Sequence, residues 1–350
     1  VTPTLTATRT PSPTPSPAPP TATPAPRASA TAEGPVEPVA PIALGMGPLA
    51  TSLAIAEAQP ALFYAVVDGR LYASKNRGFR WYVPDLTGLP AAPVLAVAAD
   101  PGPTGIVYVA TGQGLYRRQI KGPWAFMSPL RASALAVGPG DGNALWAAVD
   151  EGVQYSADGG ATWTLLHEGL EAWQTLGIAP LHTWVSDIVV DRARPASPWV
   201  LQRLETSELP PLGILYRRSA AGRWERLTLG RFEPAPANPD SCVPAGIAYD
   251  PVGRVLYLGC ERCPFNRGRL LILRSADGGA GWELAARLAN PGADCVAPGV
   301  ARPLAVDVQE PRTVFLSASV AECGSFTGNR LLVSRNSGAG WSQRRLVGVP

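Results

Sequence analysis

Ser156-Ala157-Asp158-Gly159-Gly160-Ala161-Thr162-Trp163 is the stretch on which the reading of this chain turns. Short apolar or alternating runs flank it, residues 152–155 before and 164–166 after, which is the pattern of a β-hairpin. The octet is therefore a turn. Ser and Asp side chains accept hydrogen bonds from its backbone N–H groups, Gly supplies the positive φ of the reversal, and Trp covers the hairpin with a large apolar surface.

The octet recurs as Ser275-Ala276-Asp277-Gly278-Gly279-Ala280-Gly281-Trp282, as Ser74-Lys75-Asn76-Arg77-Gly78-Phe79-Arg80-Trp81, and as Ser334-Arg335-Asn336-Ser337-Gly338-Ala339-Gly340-Trp341. Asn76 and Asn336 replace Asp because an amide oxygen is an equivalent acceptor. Eroded copies stand around residues 122–124 and 219–224. Two further strands precede each hairpin, as in residues 246–250 with 255–258 and residues 304–307 with 313–317. Four strands per unit make a propeller blade. The tryptophans at 81, 124, 163, 224, 282 and 341 lie 43, 39, 61, 58 and 59 residues apart, so the later blades are longer. The expectation is an all-β, six-bladed propeller of four-stranded antiparallel blades over residues 45–350, with a seventh blade if the chain continues. The ring then closes either by the first and last blades packing face to face or by a strand from residues 36–44.

Residues 1–44 are a Pro/Thr/Ser/Ala-rich leader without the large apolar residues that build a core, and its prolines favour an extended spacer. A leader of this kind suits a stalk outside the cytoplasm. The first residue is Val, which suggests that a signal peptide or anchor precedes it. Charged residues make up 16%, net charge is +3, and no run of five basic residues occurs, which argues against a nucleic-acid partner. No stretch of about 18 apolar residues spans a membrane. Two histidines, His167 and His182, are too few for a histidine metal centre or a triad, and no phosphate-cradling glycine loop is present; no metal and no cofactor are expected.

The motif Ser-x-Asp-x-Gly-x-Thr-Trp at residues 156–163 resembles the bacterial neuraminidase repeat, or Asp-box, of sialidases, sortilin-type receptor domains, some xyloglucan hydrolases and the photosystem II assembly factor family. The resemblance implies a propeller in which Ser74, Asn76, Gly78, Trp81, Ser156, Asp158, Gly160, Trp163, Ser275, Asp277, Gly279, Trp282, Ser334, Asn336, Gly338 and Trp341 are structural turn residues on the face away from the functional site. The Arg-Ile-Pro motif of the sialidases is missing, so none of their arginine triad carries over.

A two-carboxylate glycosidase needs an acid and a base across the axis. Glu205, Glu261 and Glu322, with Glu208, Asp240 and Asp294, lie in loops that suit this chemistry. All five cysteines fall in the last two blades. Cys242 and Cys295 precede first strands, while Cys263 and Cys323 follow second strands. In a propeller these loops share a face, so Cys242 can pair with Cys263 and Cys295 with Cys323, leaving Cys260 over or in the place of Cys263. Disulfides agree with an oxidising compartment. The long loops of blades four to six, residues 204–213, 229–245, 260–268 and 320–328, carrying Arg231, Phe232, Arg262, Phe265 and Arg267, form the expected binding face. The function expected is an exported, non-catalytic module for a protein or polysaccharide; the alternative is a glycoside hydrolase.

Overall fold

A computed structural model describes residues 50–59, 61–140, 142–207, 212–234, 238, 240–261, 270–288, 299–307, 309–310, 313–322 and 325–344. The chain divides into two units, Val1–Pro35 and Val36–Pro350, and every described residue lies in the second. The boundary expected between residues 44 and 45 lies outside the described residues.

Six blades follow one another along the chain. The first is β1 (Ala50–Ile55), β2 (Phe63–Val67) and β3 (Arg70–Ser74), with a bridge from Ala73 to Tyr82 in place of a full fourth strand. The second is β4 (Val94–Ala99), β5 (Ile106–Thr111), β6 (Gly114–Gln119) and β7 (Ala125–Ser128). The third is β8 (Ala134–Val137), β9 (Leu145–Val149), β10 (Gly152–Ser156) and β11 (Thr164–Leu166). The fourth is β12 (His182–Asp191), β13 (Arg194–Glu205), β14 (Leu212–Arg218) and β15 (Trp224–Arg226). The fifth is β16 (Val243–Asp250), β17 (Val255–Glu261), β18 (Leu270–Ser275) and β19 (Glu283–Leu288). The sixth is β20 (Gly299–Asp307), β21 (Thr313–Glu322), β22 (Ser325–Ser334) and β23 (Ser342–Arg344). Every pairing is antiparallel between chain neighbours, and a single bridge from Glu261 to Val300 joins the last two blades into one sheet.

A blade inside a ring is covered on both faces, so its middle strands lose the apolar–polar alternation of a half-exposed sheet. Accordingly all five residues of β2 (FYAVV) and of β9 (LWAAV) are buried. The described core falls into six clusters, one for each contact between neighbouring blades. The six tryptophans whose spacing sets the blade count each pack into one of them: Trp81 between blades six and one, Trp124 between one and two, Trp163 between two and three, Trp224 between three and four, Trp282 between four and five, Trp341 between five and six. The ring closes by face-to-face packing. Phe63 of β2 meets Phe315 of β21 edge to face, with centroids 5.4 Å apart, and Arg77 reaches across the seam to Asp307. Residues 36–44 lie outside the described residues.

First and third strands of a blade run in the same direction, so the turns that follow them share one face. The turns after the second strand and the links between blades share the other. Glu57, in the turn after β1, pairs with Arg192, in the turn after β12, tying opposite blades on the first of these faces.

Candidate functional site

The four octets lie at the ends of β3, β10, β18 and β22, each leading toward the fourth strand of its blade. In the third blade the Ser156 hydroxyl donates to Asp158 (2.7 Å) and accepts from the Gly160 N–H (2.8 Å), while Asp158 accepts from the N–H of Thr162 (2.9 Å) and from its hydroxyl (2.6 Å). Ser74 with Asn76, Ser275 with Asp277 and Ser334 with Asn336 repeat the arrangement. The Thr162 bonds hold the Asp158 carboxyl well below the usual range; burial pushes Asp277 up, but bonds from Gly281 and Ser275 outweigh it and leave it low. Gly78, Gly160, Gly279 and Gly338 have φ of 80°, 92°, 100° and 89°, which closes the turn. These carboxylates are consumed by their own turns, on the face opposite the long strands.

On that opposite face the blades differ. The strands β12 and β13 extend to His182 and Glu205, whose backbones pair; the His182 ring stacks on Trp184 at 5.2 Å between centroids. The expected loop over residues 320–328 is instead a continuation of the ladder: β21 and β22 run on until Glu322 pairs with Ser325.

Charge gathers where blades four, five and six meet. The innermost strand β16 carries a bulge between Pro244 and Gly246, which turns two successive carbonyls sideways. Arg203 of β13 donates to the Pro244 carbonyl at 2.6 Å, and Arg302 of β20 donates to the Ala245 carbonyl at 3.1 Å. The approach needs glycine on both sides. A Cβ on Gly213 would lie 2.1 Å from the Pro244 oxygen, and one on Gly246 would lie 2.3 Å from Cγ of Arg302. The second guanidinium nitrogen of Arg203 binds the carboxylate of Glu261.

Asp187, on the innermost strand of blade four, completes this group. Its oxygens accept the N–H groups of Ile247 and Ile188, each at 3.0 Å. The residue keeps partial exposure, yet its carboxyl is closely surrounded by protein atoms. That burial pushes its carboxyl up to about 6, against the pull of Arg302 and of the two N–H bonds. Farther round the same face, a cavity of about 700 Å³ opens at blades one to three, with Thr51, Leu95, Arg131, Ser133, Asp150 and Glu151 in its wall.

Of the residues expected to act, Glu261 is here but bound to Arg203. Asp240 pairs with Arg287 at 2.7 Å, and Glu205 stands exposed at the end of β13. One expectation is corrected and one alternative is decided. Phe232 does not face a partner: it ends the short helical turn Gly230–Phe232, is buried in the core between blades four and five beside Cys242 and Cys260, and leaves Arg231 exposed with its guanidinium 4.7 Å above the ring. Of the two partners left open for Cys242, it is Cys260 that pairs, the residue opposite Pro244 in the ladder, with Cα atoms 5.1 Å apart. Arg262, Cys263, Phe265, Arg267, Glu208, Asp294, Cys295, Cys323 and the side chain of Glu322 lie outside the described residues. Among the described residues no cluster of His, Cys, Asp and Glu suits a metal ion, and no helix is long and apolar enough to cross a membrane.

The sequence matches no family model and no curated protein. Solved structures of similar fold include the GH74 xyloglucanase of Xanthomonas campestris, 20% identical over 87% of this chain and 46% of that one, with a TM-score of 0.56. A GH74 enzyme of Niastella koreensis is 16% identical over 85% of this chain and 47% of its own, with a TM-score of 0.53. YCF48 of Cyanidioschyzon merolae is 10% identical over 88% of both chains, also at 0.53. The chain thus spans less than half the length of these GH74 enzymes and nearly the whole of YCF48. At these identities the likeness is one of fold, and the chain is a six-bladed β-propeller.

Proposed function

We propose that this chain is an exported, non-catalytic Asp-box propeller that presents its long-strand face to a protein or polysaccharide. The observation that carries the reading is the pairing of charge at that face. Glu261 is matched by Arg203, and Asp187 is opposed by Arg302 and capped by two backbone N–H groups. A glycosidase keeps two carboxyl groups facing one another across a sugar; each acid of this group faces an arginine instead. The extended hairpins, the stacked His182 and Trp184 and the disulfide-pinned end of blade five give a rigid surface, which lowers the ordering cost of binding. The Pro/Thr leader and the disulfide support an extracytoplasmic setting.

The test is a glycan array together with a chromogenic-glycoside screen on the whole chain, with Asp187→Asn and Glu261→Gln beside the wild type. Binding without turnover is the expected result for a polysaccharide partner. Turnover that is lost in Asp187→Asn overturns the binding reading and makes the raised carboxyl a general acid.

A further inference from the structure

Arginine outnumbers lysine heavily here: of 30 basic residues only two, Lys75 and Lys121, are lysines. They lie in different blades and line the same cleft. The cleft encloses about 600 Å³ between the rims of blades one and two, on the face of the Ser-x-Asp/Asn turns, away from the long-strand face. Gln59, Leu62, Tyr82, Asp85 and Ile120 share its wall.

Arg118 supplies a third cation. It is only 6% exposed, and among the described residues its partners are neutral: the Asp85 carbonyl at 2.8 Å, the Tyr64 hydroxyl at 3.1 Å, and the faces of Trp124 and Tyr64 at 4.5 and 5.6 Å. Its Nε is buried without a partner. The charge it does feel is the Asp85 carboxylate, which the Thr87 bonds hold low first and Arg118 holds low further, so this one carboxylate already answers a buried guanidinium. Lys75 and Lys121 are exposed, and among the described residues neither has a carboxylate partner; the Lys75 ammonium stands 5.4 Å above the Tyr82 ring. Three cations therefore share the cleft with one carboxylate, Asp85, whose side chain is engaged by the N–H and hydroxyl of Thr87.

The rest of the wall says what kind of anion fits. Tyr82 is 37% exposed and presents a ring, and Leu62 and Ile120 give apolar wall beside it. A small inorganic anion uses none of this. A sugar ring stacks its C–H face on an aromatic, and its hydroxyls accept from an amide such as that of Gln59 and donate to a carboxylate such as Asp85. We infer that the cleft between blades one and two binds a carboxylated oligosaccharide, with Tyr82 as the stacking platform and Lys75 and Lys121 as partners of the uronate groups.

The test is calorimetric titration of the full chain with a trigalacturonate, with neutral cellotriose and with a hexaglutamate peptide, on wild type, Lys75→Gln/Lys121→Gln and Tyr82→Ala. The expected result is saturable binding of trigalacturonate that weakens about tenfold or more in each variant and falls steeply with added salt, with cellotriose and hexaglutamate at least about tenfold weaker on wild type. The lysines are exposed, so the double variant should melt as wild type does and its loss of binding reads the site itself. Absence of trigalacturonate binding overturns the inference, as does equal binding of cellotriose. Hexaglutamate binding as tightly, unaffected by Tyr82→Ala, overturns the sugar class and leaves a peptide site.

Discussion

At the scale of the residue, chemistry that looks catalytic in the sequence is spent on shape. Asp158 and Asp277 are the most conspicuous carboxylates of the repeat, and both are held low by the turns they close. The octet was legible because its hydrogen bonds are local: donor and acceptor lie within four residues of each other. A second set of buried aspartates was within reach but missed. Asp191, Asp250 and Asp307 each end the first strand of a blade, Asp100 directly follows one, and all four accept N–H groups of the next turn, a pattern visible as Asp after an apolar run. Asp187 gave no such signal, since its environment is made by Ile247 and Arg302, 60 and more residues away. Its raised carboxyl gives a prediction whose sign is opposite to ordinary acid denaturation. With a folded value of about 6 against 3.8 for the free group, the folded chain binds the extra proton between these limits. Stability from this residue is full below about 4 and is lost as pH rises through 6, by about 1–3 kcal/mol given that the residue is partly exposed. Melting temperature followed from pH 4 to 7 should therefore show a fall that Asp187→Asn removes; an identical profile in the variant would place the titration elsewhere.

At the scale of the element, the strand ends decide more than the strands. Alternation and length identify the blades, but whether a connecting stretch is loop or ladder depends on partners that periodicity does not show. Residues 320–322 and 325–328 were read as loop and extend β21 and β22 instead. The sequence leaves Cys260 and Cys263 both open as partners of Cys242 for a related reason: the bulge at Pro244 sets which residue of β17 lies beside Cys242, and a bulge leaves no mark in a single sequence. Phe232 was mistaken for surface because its neighbours Arg231 and Glu233 are polar, while the short helical turn swings it inward. The disulfide closes a sequence separation of 18, which corresponds to about 3 kcal/mol of restricted unfolded chain. Cys242→Ser/Cys260→Ser should destabilise the protein by about that amount in denaturant unfolding. A non-reducing peptide map should recover residues 242 and 260 in one linked fragment, and a fragment linked through 263 would refute the pairing.

At the scale of the whole molecule, six similar interfaces make the ring, and one of them joins the two ends of the chain. That seam has no shared strand among the described residues, so side-chain packing holds it, with Phe315 only 1% exposed at its centre. Phe315→Ala should cost about 3–5 kcal/mol and broaden thermal unfolding as the ring opens at this point; an unchanged, sharp transition would mean that the seam is held by something other than this packing. The blade count was readable because each tryptophan fills one interface; the face on blades four to six and Glu261 were readable too, but not Arg203, Asp187 and Arg302, which meet only when three blades are assembled. The two lysines carry a practical meaning of their own. Amine-directed coupling has two ε-amino handles on this protein, both in one cleft on one side of the disc. A molecule tethered through them lies with its long-strand face outward and its cleft against the support, so immobilised and free protein would report on different ligands.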